Sequence, residues 1–244
     1  MQGYKVLYLI TLLLIGCSDL NAPACLQKKG ELVELELIVG PFTSIEVFDQ
    51  FTVNITQGAT QKVLLKARSN QINGIKYAVI ENNFTLTNEN SCQWIRAFEF
   101  PTINITHPNL TELRLSGGGT IMSEDTLSYP ELKLVSEDVS GDFILKVNCT
   151  DLSIVNNQLS NYWISGRTEN LFVGFYAGNG RFEGAKLEAE NVDIFHRGLN
   201  DIVVHAISSL SGEIVHLGNI VYVKTIPPII NVTITGRGDL IFRD

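Results

Sequence analysis

Short stretches of alternating apolar and polar residues recur along most of the chain: Leu113-Arg114-Leu115, Leu132-Lys133-Leu134, Leu152-Ser153-Ile154 and Val192-Asp193-Ile194. A period of two marks a half-buried strand, with Leu, Val and Ile on one face and Arg, Lys, Ser and Asp on the other. No helical-period stretch of useful length interrupts them after residue 109. The same alternation occurs earlier, in Ile45-Glu46-Val47, in Phe51-Thr52-Val53-Asn54-Ile55 and in Phe84-Thr85-Leu86-Thr87. The chain reads as all-β.

From about residue 109 the strands keep a register of roughly twenty residues. With Ile121, Phe143, Trp163, Phe182, Ile202, Ile220 and Leu240 as anchors, successive separations lie between 18 and 22. Two places before each anchor stand Gly119, Gly141, Asn161, Gly180, Asn200, Gly218 and Gly238. Gly and Asn together make about one residue in six of this chain, so a column composed only of them is far outside chance. Both types tolerate positive φ, and the column predicts one left-handed bend repeated at a single corner of a stack. A β-sandwich has no reason to repeat a residue type at one equivalent position. A solenoid does, because each coil lies on the previous one. Parallel crossovers favour the right hand, so the expected fold is a right-handed, single-stranded parallel β-helix.

The organisation that follows has four parts. Residues 109–244 form coils of about 20 residues. Residues 41–108 alternate like strands but lose the register, and are assigned to an N-terminal β cap and early coils, because an open solenoid end exposes unpaired edges. Arg243 and Asp244 are expected to shield the other end. Residues 17–40 read as a tether. In residues 1–16, Lys5 precedes the apolar run Val6 to Ile15, too short to cross a bilayer as a helix and suited to a signal peptide.

Leu14-Ile15-Gly16-Cys17 resembles the bacterial lipoprotein cleavage box. It makes Cys17 the expected site of lipidation and attaches the protein to a membrane through acyl chains rather than a span. Cleavage after Ala22-Pro23-Ala24 is the alternative, with simple secretion. In a disulfide-permissive compartment Cys25 and Cys92, both in polar, loop-like contexts, are candidates to pair. Cys149 lies between strand-like runs and reads as a small buried hydrophobe.

A net charge of −8, spread along the chain, excludes nucleic acid as a partner, since phosphates demand a basic footprint. It reads as a solubility feature.

Four segments resemble a known family. Pro41-Phe42-Thr43-Ser44-Ile45-Glu46-Val47 is similar to its opening strand, and Asn90-Ser91-Cys92-Gln93-Trp94-Ile95-Arg96 to its cysteine–tryptophan segment. Gly180-Arg181-Phe182-Glu183-Gly184 and Gly236-Arg237-Gly238-Asp239-Leu240 are similar to its repeated glycine turns. The family is the putative auto-transporter adhesin, head GIN domain, found in bacterial envelope lipoproteins. The resemblance implies a β-helix of the pectin-lyase-like kind and a cell-envelope location, and supplies no catalytic residues.

Candidate chemistry is sparse. Asp201, Asn219 and Asp239 immediately precede three successive anchors, so stacking would align them as a ladder. The two carboxylates would then be about 10 Å apart, near the upper limit for an inverting glycosidase, and could also attract Ca²⁺. A solvated ladder is the default. Arg237-Gly238-Asp239 spells an integrin-type tripeptide, but Gly238 already belongs to the column. His107, His196, His205 and His216 lack triad or metal spacing and read as surface residues. Trp94, Tyr162, Tyr176 and Tyr222 are candidates for a sugar platform. No catalytic set, metal or cofactor is expected. The functional expectation is a membrane-anchored envelope lipoprotein of the outer membrane, with an adhesin-like or structural module whose partner is a polysaccharide or another envelope protein. The rival class is a polysaccharide lyase or glycoside hydrolase built on a β-helix.

Overall fold

The computed structural model describes residues 30–90, 100–137 and 140–244. The apolar leader, the lipidation candidate Cys17, the pairing candidates Cys25 and Cys92, and Trp94 lie outside the described residues. What is described is a β-solenoid whose strands belong to one continuous sheet wound about a common core.

The coils are clearest in the second half. Strands β8 (Glu112–Ser116), β10 (Glu131–Glu137), β11 (Asp142–Asn157), β12 (Asn161–Ala177), β13 (Arg181–His196), β14 (Ile202–Ile214) and β16 (Ile229–Ile234) stack in parallel along one side. On the other side run β9 (Thr120–Leu127), the leading halves of β11 to β14, then β15 (Ile220–Val223) and β17 (Leu240–Arg243). The anchor register is Ile121, Phe143, Tyr162, Phe182, Ile202, Ile220 and Leu240. All but Leu240 are buried.

Two expectations need correction. The anchor of the third of these coils is Tyr162, not Trp163, because Tyr162 pairs with Phe143 and Phe182 while Trp163 points outward opposite Ile144 and Glu183. The column position there is consequently Ser160 rather than Asn161, which stacks between Asp142 and Arg181. Secondly, the column is not a left-handed bend, since positive φ occurs at Gly166, Gly178 and Gly212 and at four other residues outside it. Glycine is needed there for clearance. A methyl group at Gly141 would sit 2.7 Å from the Gly119 carbonyl oxygen of the coil below. One at Gly238 would strike the Gly218 carbonyl in the same way.

The N-terminal third is stacked out of chain order. Strands β2 (Ser44–Phe48) and β3 (Thr52–Gln57) form a coil sandwiched in parallel between β8–β9 above and β6 (Asn83–Asn88) with β7 (Thr102–His107) below. Antiparallel strands then finish that end: β5 (Ile75–Ile80) on β6, and β4 (Lys62–Arg68) on β7 with β1 (Leu32–Glu36) beyond it. At the opposite end Arg243 and Asp244 do not shield the final rung. Ile230, Ile234 and Phe242 stay exposed, because two charged residues at one corner cannot cover both sides of a coil.

Candidate functional site

Four coils build a groove on the outer face of the sheet that carries the anchors. Ile144 and Trp163 are register neighbours on β11 and β12 and both point away from the core. Trp163 is 41% exposed and Ile144 39%, unusual for a tryptophan in the middle of a regular sheet. On the strands flanking this pair the register breaks. Relative to β11, β9 carries extra residues between Met122 and Thr126. Relative to β14, β13 carries extra residues between Gly184 and Glu188. Such bulges lift backbone out of the sheet and recur beside functional sites. Here they form two walls, Ser123 and Glu124 on one side, Glu183, Ala185 and Lys186 on the other, about the floor of β11 and β12. The volume enclosed is about 480 Å³, within the range of small-ligand sites.

Charge completes the site. Lys146 on the floor and Lys186 on the far wall are exposed and have no carboxylate partner among the described residues. Glu183 is 3.6 Å from Arg181. The groove therefore offers one indole face, one branched aliphatic surface, two available ammonium groups and the Glu124 carboxylate on its near wall. Sequence reasoning missed Trp163 as a surface group because Tyr162 and Trp163 are adjacent in a strand. One must face in and the other out, and a spacing of 19 or 20 residues fits either choice.

The residues singled out from sequence fall elsewhere. Asn219 lies between Asp201 and Asp239, and its amide donates to Asp201 Oδ1 at 2.9 Å while its Oδ1 accepts the Asp239 backbone N–H at 2.8 Å. A second ladder runs along another edge: Asn170 donates to Asp151 at 2.9 Å, Asn191 to Asn170 at 3.2 Å, and Ser209 to Asn191 at 2.9 Å. These amides stitch coil to coil. Asp239 of the Arg-Gly-Asp tripeptide belongs to the first ladder, and Gly238 packs on Gly218. The aromatic candidates do not converge. Tyr162 is buried against Phe143, Tyr176 packs on Phe195, and Tyr222 on Phe242.

The histidines also need correction, since His107, His196 and His205 are buried and only His216 is exposed. His107 and His196 occupy inward or corner positions, whereas His205 faces away from the core opposite Glu188 and is covered near Thr225, whose hydroxyl lies 3.2 Å from its Nε2. His107 stacks on Phe42 with centroids 4.9 Å apart, and its Nδ1 accepts the Asn109 N–H. His196 Nδ1 accepts the Gly198 N–H at 3.3 Å. Burial holds all three below the usual histidine range, His196 at about 4. Cys149 is buried and free, its thiol pushed up to about 11 by desolvation.

Against this geometry, known proteins give a consistent result. The sequence matches the family described as putative auto-transporter adhesin, head GIN domain, over residues 41–225. The chain belongs to that family. A solved structure, a putative adhesin from Bacteroides fragilis, is 22% identical and superposes with a TM-score of 0.78, covering 87% of this chain and 97% of its own. A putative lipid binding protein from Parabacteroides distasonis is 16% identical, with a TM-score of 0.62 over 88% and 98%. A putative adhesin from Parabacteroides merdae is also 16% identical, at 0.59 over 88% and 97%. At these identities the likeness establishes a shared fold. No curated protein matches this GIN-domain chain.

Proposed function

We propose that this GIN-domain protein is an adhesin-like module of the cell envelope, lipid-anchored at Cys17, that binds an acidic polysaccharide across the Trp163 groove. The observation that carries the reading is the exposed Trp163–Ile144 floor between two bulged walls, with Lys146 and Lys186 at its margins. An indole face stacks on the apolar face of a pyranose ring, and two ammonium groups beside it suit carboxylates on neighbouring sugars. Strands spaced about 4.8 Å apart present these groups at roughly the repeat of an extended sugar chain. Relatives carry the names of adhesins and binding proteins rather than enzymes.

One place where a lyase or hydrolase could act is the polar recess near Arg167, Glu169 and Glu190. There Arg167 already faces Glu188, and Glu190 accepts a hydrogen bond from Ser208, so the recess supplies structural pairs rather than an acid and base poised on a bond.

The test is a glycan array containing neutral and uronate oligosaccharides, followed by titration calorimetry on the best binder. Binding of uronate chains, lost in Trp163→Ala, supports the proposal. Binding that survives Trp163→Ala, or capture only by phospholipid vesicles, overturns it. The anchor is tested separately by mass spectrometry of membrane fractions, where Cys17→Ser abolishes the acylated N-terminal peptide.

A further inference from the structure

The two walls of the Trp163 groove differ in charge. On the β9 side the bulge presents Glu124, exposed and without a cationic partner among the described residues. This bulge is tied to the floor, because Ser123 Oγ accepts the Lys146 backbone N–H at 3.1 Å. Glu124 is therefore held at the margin of the groove rather than on a free loop. On the β13 side the wall carboxylate, Glu183, is already taken up 3.6 Å from Arg181, and the free charge there is the Lys186 ammonium. These groups follow a fixed order along the stack. Hydrogen-bonded neighbours run β9, β11, β12, β13, and Glu124, Lys146, Trp163 and Lys186 lie on them in turn. Lys146 and Lys186 share one register row through Ser165, so their strands are two spacings, about 10 Å, apart. The indole lies on the strand between them, and the unpaired carboxylate lies one strand before the first lysine.

We propose that the groove selects a sugar chain in which uronates alternate with unacetylated amino sugars. The inference rests on the groove being a saccharide site and adds the charge pattern of its ligand. A chain lying along the stack with one unit per strand meets a lysine at every second unit. Its uronates then face Lys146 and Lys186, one amino sugar stacks on Trp163, and the ammonium of the other faces Glu124. A homopolymer of uronates would instead set a carboxylate against Glu124 and another over the indole. An N-acetylated chain would bring a neutral amide to Glu124 and leave that carboxylate without a counter-charge. Unlike charges placed in this order act chiefly on the choice of partner, since a like charge in the same place is penalised. Asp125, next on the bulge, is exposed but does not line the groove, and it separates a local contact with Glu124 from a general effect of surface charge.

The experiment is titration calorimetry of the full chain in non-ionic detergent at neutral pH with three hexasaccharide probes. They are glucuronate–glucosamine with free amines, the same chain fully N-acetylated, and oligogalacturonate. The wild type should bind the free-amine probe about fivefold more tightly than the N-acetylated one, the upper end of what an exposed charge pair supplies. Oligogalacturonate should bind more weakly than the free-amine probe. Glu124→Gln should erase the preference, keep the affinity for the N-acetylated probe and leave the far-UV circular dichroism unchanged, while Asp125→Asn should retain the preference. Equal wild-type affinities for the free-amine and N-acetylated probes, or tighter binding of oligogalacturonate, overturn the proposal without any variant. A preference that survives Glu124→Gln, or that Asp125→Asn removes equally, overturns it as well. Where the N-acetylated probe still binds in a Trp163-dependent way, such results sink the charge pattern alone. Failure of all three probes to bind removes the saccharide site together with it.

Discussion

Tyr162 lies flat against Phe143 of the coil below, ring centroids 4.9 Å apart and planes 6° from parallel. Both rings are fully buried, and the Tyr162 hydroxyl donates to the Val155 carbonyl at 3.2 Å. Truncation should therefore expose how much of the stability resides in the stacked interior. Tyr162→Ala is expected to cost about 3–5 kcal/mol, as for other large aromatic deletions, while Tyr162→Phe loses only the hydroxyl bonds, about 1 kcal/mol. Urea denaturation of the two variants checks the ratio.

Clearance at the column makes a second expectation. Gly141→Ala forces the new methyl onto the Gly119 carbonyl, and overpacking of this kind costs about 1–3 kcal/mol. Gly40, around which a methyl group would meet nothing within 4 Å, serves as the control, with a change within about 0.5 kcal/mol. Equal effects at the two sites would refute the clearance argument.

Asn219 uses both ends of its amide between coils. Asn219→Ala should destabilise by about 1–2 kcal/mol, with Asn219→Asp worse at neutral pH because it places a third carboxylate beside Asp201 and Asp239.

The buried histidines give the protein a pH dependence whose sign is fixed. In the unfolded chain a histidine binds its proton near pH 6.5, whereas buried His196 stays neutral down to about 4. Between those values the unfolded state holds the extra proton, so stability present above pH 6.5 is lost as the pH falls toward 4. The limiting slope is about 1.4 kcal/mol per unit for one such group. His107 and His205, depressed by burial as well, act in the same direction. Urea midpoints measured from pH 7.5 to 5 should decline, and His196→Gln should flatten the curve.

Trp163 lies on the surface and accepts no structural burden that the register requires. Trp163→Ala should leave the melting temperature nearly unchanged while abolishing glycan binding. Lys146→Ala should weaken uronate chains at least tenfold and spare neutral ones. Calorimetry with paired neutral and acidic oligosaccharides separates these outcomes.

The coil spacing was legible because close axial contact leaves no room for most side chains, and that exclusion writes small residues into the sequence at fixed intervals. The same signal failed at Ser160, where a small hydroxyl residue meets the need and bonds the Gly141 N–H at 2.9 Å. Burial of His196 was invisible because nothing local marks an inward position that prefers a flat neutral ring. The groove was invisible for a related reason. Its walls arise from extra residues in β9 and β13, which can be seen only once the partner strands are known. The placement of β2 between β6 and β8 left no trace either, since long-range pairing has no local signature.

That last arrangement limits how the protein can vary in length. Downstream of β9, chain order and stacking order agree, so a duplicated coil could be spliced in there and simply lengthen the rod. Upstream, a duplicated or deleted coil would separate neighbours that the chain does not join directly. Diversity of size among such proteins should therefore accumulate toward the C-terminal side, leaving the portion that precedes residue 127 comparatively constant.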